Sequence, residues 1–450
     1  MEKILIVDDD VAVTNYLMVF LMQTGRFETL VVNDSRQVED LLAKDSFGVI
    51  LLDMDMPNVS GMDILKMMHQ KGLSIPVIIL TGVSDVDLAV KSLKLGAIDY
   101  LTKPVEDETL LEAIDTALEH RALHHSIDQL PPQLKREDLT HVDAFEQFPT
   151  QNPAMIRFLH QIEKMATSDL TVFIWGEPGT GKEMLARAIQ EASPRRDRPF
   201  VAVDASGQDP EKFPADFFGQ ARVWSGEREE RPGFIEEAAD GTLFLGEMEH
   251  LTLPMQVRLK RMLQTGEYYR ENSTRIRKTE VRMIVASSYD LTEDSYRGRF
   301  SHDLVYHLMV NSVRLPPLRE RMEDLPLLGE VFLREGVKKV GKEIDGFADD
   351  YFGFLERYDF PDNVQELLNI IEGSVVNAEG RIITIDSLPP YIRHKIAHRD
   401  KERAAEYHPR SLEDVQRDHV RQVVAHCGED RDEAAAALGI SRAEIDEMLS

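Results

Sequence analysis

Residues 47–57 read FGVILLDMDMP, an apolar run that stops on Asp53 and turns away through Asp55 and Pro57. Val49 to Leu52 is too short for a typical helix and is bounded by turn residues, so it reads as a strand buried on both faces. The pattern repeats on either side. MEKILIVDDD (1–10) ends a run on Asp8 and Asp9, IPVIILTG (75–82) ends another on Thr81, and DYLTKP (99–104) brings Tyr100 and Lys103 up to Pro104. The amphipathic stretches VTNYLMVFLMQTG, VEDLLAK, MDILKMMHQKG and DLAVKSLKLGA alternate with these runs. Over residues 1–120 that alternation predicts an α/β domain, a parallel sheet wrapped by helices.

In a doubly wound sheet the binding crevice lies beyond the carboxyl ends of the strands, so separate strands can deliver Asp8, Asp9, Asp53, Thr81 and Lys103 to one site. Any one of these acids alone would read as a solvated strand end. Three carboxylates together repel one another unless a hard divalent cation binds, and magnesium suits oxygen ligands while keeping waters that a phosphate can replace. With that ion and a lysine ammonium to neutralise phosphoryl oxygens, a carboxylate can act as nucleophile and form an acyl phosphate, and Asp53 is the natural acceptor. VDDD, LLDMDMP, ILTG and YLTKP, in this order, resemble the receiver domains of two-component response regulators. The resemblance implies a CheY-like doubly wound receiver. In it Asp8, Asp9 and Asp53 hold Mg2+, the Asp55 backbone carbonyl completes the shell, Thr81 and Tyr100 form the switch pair, and Lys103 salt-bridges the phosphoryl group. A cognate sensor histidine kinase is the implied donor.

At 450 residues the chain calls for about three domains. The apolar fraction of 42% and charged fraction of 29% are those of folded, water-facing proteins. A single cysteine, Cys427, rules out an internal disulfide framework and a cysteine-based zinc site. No run of about 18 apolar residues and no signal-peptide pattern is present, which predicts a cytoplasmic protein with no membrane contact. The 80 acidic residues against 52 Lys and Arg give a net charge of -28, which repels nucleic acid at long range.

After a charged, Pro-containing stretch at 121–145, read as a linker begun by a protruding helix, the strand and helix alternation resumes over 146–315 with VFIWG, FVAVD, TLFLGE and VRMIVASS. VFIWGEPGTGKEMLARAI places a glycine-rich loop and lysine between a strand and a helix, the context of a phosphate-binding P-loop. Backbone amides from Gly176, Glu177, Gly179, Thr180 and Gly181 can cradle phosphates of ATP or ADP while Lys182 reaches the terminal ones, with Glu183 opening the helix. Residues 316–388 turn helical, as a lid.

GEPGTGKE, FFGQ, GTLFLGEM, LPMQVRLKRMLQTGEY, RLPPLRER and FPDNVQELLN resemble the AAA+ P-loop domain of NtrC-type activators of sigma-54 RNA polymerase. Working positions depart from that family. Gly246 stands where the family has the Walker B Asp, leaving Glu247 as the residual Walker B acid. Ser288 replaces the sensor Asn, and Asp204 replaces the Asn that switches the catalytic Glu. Ser301 and His307 stand for the two arginines that enter a neighbouring subunit's site, Gln365 stands for the lid arginine, and a shortened ARVWSGE replaces the sigma-contacting loop. Such trans arginines are worth several orders of magnitude in rate. Their loss predicts a pseudo-ATPase, able to bind nucleotide without turning it over usefully, and the shortened loop predicts weakened contact with sigma-54.

Beyond a second charged linker at 389–410, residues 411–450 show helix periodicity broken at Leu438-Gly439-Ile440, a helix-turn-helix pattern. AAAALGIS resembles the Fis-type DNA-binding domain that ends NtrC-type activators. Ser441, Arg442 and Glu444 open the recognition helix SRAEIDEMLS. Four arginines, Arg417, Arg421, Arg431 and Arg442, face ten acidic residues across 411–450, so a duplex would repel the segment.

Three functions fit these residues. The first is a phosphorylation-controlled regulator, a homo-dimer or higher oligomer, that works by binding an unknown protein partner. The second is an ATP-dependent sigma-54 activator that binds DNA, with Glu247 taking over part of the metal role. The third is a phosphate sink or inactive subunit within rings of a related regulator.

Overall fold

The structure, a computed structural model, describes residues 1–82, 91–92, 95–221, 230–291, 299–406, 412–427 and 431–449. Five strands, β1 (Glu2–Val7), β2 (Phe27–Val32), β3 (Val49–Asp53), β4 (Val77–Thr81) and β5 (Ala97–Thr102), pair in parallel in the order β2-β1-β3-β4-β5. Side chains alternate between the two faces of this sheet. Leu5, Val7, Ile50 and Leu52 enter one apolar cluster, while Ile4, Ile6, Val49 and Leu51 enter the other. Helices cover both faces, which is why these strands read as unbroken apolar runs. The strand order reverses direction between β1 and β3, so their carboxyl ends, with Asp8 and Asp53, flank the crevice.

The helix Asp107–Asp128 serves two cores. Leu110, Ala113, Ile114 and Ala117 pack into a cluster on the first sheet, whereas Leu123 enters the cluster beneath the second sheet and Ile127 packs against it. The stretch read as a linker at 121–145 does begin in this helix, and its remainder is built structure as well. After the helix ends, Leu139, Ala144 and Phe145 are buried in that same cluster around two short 3-10 turns. Few apolar residues anchor this segment among many charges, so composition alone hides them.

The second sheet is also parallel. Its strands β6 (Val172–Trp175), β7 (Phe200–Asp204) and β8 (Thr242–Gly246) precede a small ribbon, β9 (Glu267–Tyr268) with β10 (Arg277–Lys278). β11 (Arg282–Ser287) and β12 (Ser312–Arg314) complete the sheet in the order β12-β6-β11-β8-β7. Beyond it, the helices Leu325–Val340 and Asn363–Asn377 pack together, with Tyr351 hydrogen-bonded to Ser374 at 2.8 Å.

The chain divides into two compact units, Met1–Thr384 and Ile385–Ser450. In the second, residues read as a linker at 389–410 form the helix Pro390–Glu406 for most of their length. Alternating charge along HRDKERAAE suits an exposed helix as well as a solvated connector, which is why composition misleads there. Helices Leu412–His426, Arg431–Leu438 and Arg442–Leu449 enclose Val420, Val424, Ala434 and Ile445, and Gly439 supplies the left-handed turn (φ 68°) between the last two. The shortened loop ARVWSGE and the stretch DLAVKSLKLGA lie mostly outside the described residues.

Candidate functional site

At the carboxyl ends of β1 and β3, Asp8 and Asp53 are almost fully enclosed, 1% and 4% exposed, and Asp9 stands at the rim. Carboxylate oxygens of the three lie within 4.8 Å of one another, a spacing suited to one hard cation. Lys103 bridges the pair, its Nζ 2.6 Å from Asp8 Oδ2 and 2.5 Å from Asp53 Oδ1. Burial works against this ammonium, yet the hydrogen bonds to Asp53 and Asp8 outweigh it and raise Lys103 above the ordinary lysine value. The Asp55 amide donates to Asp53 Oδ2 (2.9 Å), and Asp10 donates its amide to Asp8 Oδ1 (2.9 Å) while its own side chain caps the helix Val11–Gln23. The Asp55 side chain is exposed, consistent with a contribution from its backbone rather than its carboxylate. Thr81 is buried at the end of β4, its carbonyl accepting from the Lys103 amide (2.7 Å), and Tyr100 is half-buried against the receiver core.

The second pocket is a cleft of about 1130 Å³ between the second sheet and the helices beyond it. Gly179, Thr180, Gly181, Lys182, Glu183, Asp204, Gly246, Glu247 and Gln365 all line it. Two loop glycines are obligatory. A Cβ on Gly179 (φ +73°) would lie 2.0 Å from the Asp362 carbonyl, and Gly181 (φ +103°) caps the helix Lys182–Glu191 in a left-handed conformation. The loop is clamped from the lid side, where Arg319 pairs with Glu177 (2.6 Å) and Asn363 donates to the Pro178 carbonyl (2.9 Å). Lys182 donates to the Gly176 carbonyl (3.0 Å) and to Ser288 Oγ (2.8 Å), which in turn donates to Glu247 (2.8 Å).

Several substituted positions have structural occupations of their own. Asp204 accepts from Ser206, and Gly246 pairs in register with it across β7 and β8. Ser301 stands at the N-terminal cap of the helix His302–Met309, its amide donating to Gln256 (2.8 Å). Burial lowers His307 to about 4, so this imidazole is neutral near pH 7 and carries no charge in an arginine's place. Gln365 donates to Asn369 within its own helix (3.4 Å).

Sequence reading passed over Glu249 and Arg321. Glu249 accepts from the Ser288 amide (3.0 Å), and burial together with Glu247 raises its carboxyl above the usual range. Arg321 lines the cleft at 3% exposure. Glu249 directly follows GTLFLGEM and Arg321 closes RLPPLRER, but pattern alone does not reveal which charges are buried. In the C-terminal unit Ser441 and Glu444 form a reciprocal helix cap, with the Ser441 amide on Glu444 Oε2 at 2.7 Å. Arg442 is paired with Asp432 (2.8 Å), and Arg431 with Asp446.

A phosphate-type acidic crevice joined to a P-loop domain with a helical lid defines a receiver-coupled AAA+ protein. Residues 4–115 match the response regulator receiver domain, 148–314 the sigma-54 interaction domain, and 319–405 the AAA+ ATPase lid domain. The chain is 34% identical over 448 residues to the transcriptional regulatory protein ZraR of Escherichia coli, covering 99% of this chain and 98% of that one. It is 36% identical to the C4-dicarboxylate transport transcriptional regulatory protein DctD of Pseudomonas aeruginosa over 82% of this chain and 79% of the other. The crystal structure of NtrX from Brucella abortus, 25% identical, superposes with a TM-score of 0.51 over 100% of this chain and 98% of that one. The chain belongs to the NtrC-type, sigma-54 family of two-component response regulators. No helix among the described residues is long and apolar enough to cross a membrane.

Proposed function

We propose that this chain is a cytoplasmic regulator switched by phosphorylation of Asp53 and acting through protein contacts, with an AAA+ domain that holds nucleotide but turns it over poorly. The observation that carries the first half is Lys103 bridging two buried carboxylates beside Asp9. Asp8, Asp9 and Asp53 with the Asp55 carbonyl would hold magnesium, which supplies charge neutralisation for an incoming phosphoryl group. Asp53 then attacks phosphorus of a donor such as the sensor kinase's phosphohistidine, the bond to the departing group breaks, and the Lys103 ammonium follows the charge onto the phosphoryl oxygens. Thr81 and Tyr100 relay the change to the surface of the receiver.

The second half rests on charge. Lys182 and the intact loop suit a nucleoside di- or triphosphate, but Gly246 brings no carboxylate and neutral His307, Ser301 and Gln365 bring no cation. Contact with sigma-54 is reduced by the shortened loop. The helix-turn-helix segment has its recognition-helix arginine committed to Asp432 amid an acidic surface, which disfavours DNA. A homo-dimer or larger ring, with a related regulator as partner, suits such a body.

A second reading, an ATP-hydrolysing activator, is favoured by Glu249, which sets another carboxylate beside Glu247. The purified full chain separates the two. The first reading expects negligible magnesium-dependent ATP hydrolysis, no sequence-selective gel shift, and a partner in cell extracts whose retention differs between wild type and Asp53→Ala. Robust hydrolysis lost in Lys182→Ala would establish the second.

A further inference from the structure

We infer that Arg321 is a nucleotide-binding residue of the P-loop cleft, its guanidinium donating to polar atoms of a bound nucleoside di- or triphosphate. This rests on the cleft being a nucleotide site and adds a ligand to it. Arg321 lies in the turn that leads into the helix Leu325–Val340, and it is 3% exposed yet lines the same cleft as Gly179, Gly181 and Lys182. Its Nε is wholly enclosed and has no hydrogen-bond partner. Burial depresses its pKa, and Asp324 is the acid that opposes this. Asp324, however, has spent its carboxylate on Thr150 Oγ1 (2.7 Å) and the amides of Gln151 (2.8 Å) and Asn152 (3.3 Å).

Leaving a buried donor unmatched is costly, and leaving a buried charge unpaired more so, and a ligand that completes the guanidinium recovers that cost. The other cations lining the cleft are already engaged. Lys182 is bonded to Gly176 and Ser288, and Arg187 to Glu183. The surroundings choose the ligand class. Backbone amides at the start of the helix Lys182–Glu191 suit phosphates, while Phe148, Pro149, Leu328, Val331 and Leu368 offer an apolar wall for a base. Acidic Glu146, Glu183, Asp204, Glu247 and Glu335 line the cleft as well, so a polyanion needs each cation the cleft can bring to it. With Gln365 uncharged in the lid, Arg321 supplies the cation on that side.

The test uses the full-length protein, a fluorescent N-methylanthraniloyl ADP titration with magnesium, and thermal unfolding without nucleotide. Arg321→Met keeps the volume and removes the charge. The expected result is tenfold or weaker binding, with an unfolding temperature in the absence of nucleotide that is unchanged or higher, because an uncompensated buried charge has gone. Arg321→Lys restores a cation and recovers part of the affinity. Unchanged affinity in Arg321→Met overturns the inference, as does a lowered nucleotide-free unfolding temperature, which would mark the side chain as a structural support. Lys182→Ala tests the underlying reading separately. If wild type and Lys182→Ala are equally unresponsive to the probe, the cleft is not a nucleotide site and both readings fall.

Discussion

Lys103 is the counter-ion of the receiver pocket, and its removal should be felt before any chemistry is asked of the site. In Lys103→Ala, Asp8 and Asp53 would face each other at 1% and 4% exposure with no cation between them. Urea unfolding at pH 7 without divalent ions should show a loss on the order of 2 kcal/mol, a moderated figure because Lys103 itself reaches solvent. Added magnesium should return much of that loss, since an ion that binds only the folded pocket stabilises it. An unfolding midpoint identical to wild type in the absence of magnesium would remove Lys103 from this role. Gly179 is as constrained in the second pocket. Gly179→Ala places a methyl 2.0 Å from the Asp362 carbonyl at a left-handed φ, so nucleotide affinity should fall tenfold or more, read by the same fluorescent titration.

Among the elements, the helix Asp107–Asp128 runs unbroken from the core of the first sheet to that of the second, and His120 marks the seam. Its Nε2 donates to the Val310 carbonyl (2.8 Å), and its ring lies 4.0 Å from that of His124. Burial and His124 lower His120 to about 4, and burial lowers His307 to about 4 as well. Unfolded histidines titrate near 6.5, so between that pH and 4 the unfolded chain binds the extra protons. Stability from these two groups is therefore whole above pH 6.5 and is lost as pH falls toward 4, by on the order of 2–3 kcal/mol each. Urea midpoints measured from pH 7 to 5 should decline, and His120→Gln should flatten the slope; an unaltered slope would contradict the burial of this ring. At the other end of the chain, the pairs Arg442 with Asp432 and Arg431 with Asp446 tie basic side chains to the unit's own acids. Asp432→Ala and Asp446→Ala together should raise retention of a random duplex at low salt without making it sequence-selective, which a gel-shift series can read.

For the molecule as a whole, legibility followed the chemistry of strand ends. Asp8, Asp53, Thr81 and Lys103 could be assembled from the sequence because a parallel sheet delivers its carboxyl ends to one crevice, and Gly179 to Lys182 because a P-loop needs its glycines. The segments around Phe145 and Ile392 were not legible, since isolated apolar residues among charges give no periodic signal. Arg321 was invisible for a different reason. Burial of an unmatched charge is a property of packing, and its motif reads the same whether the guanidinium faces water or a cleft. Much therefore turns on whether the crevice does what its carboxylates suggest. Intact-mass spectrometry after incubation with acetyl phosphate and magnesium decides this directly. One added phosphoryl group is expected on wild type, lost in Asp53→Ala and when the metal is chelated. A wild-type mass that stays constant while a control receiver gains the adduct would contradict it.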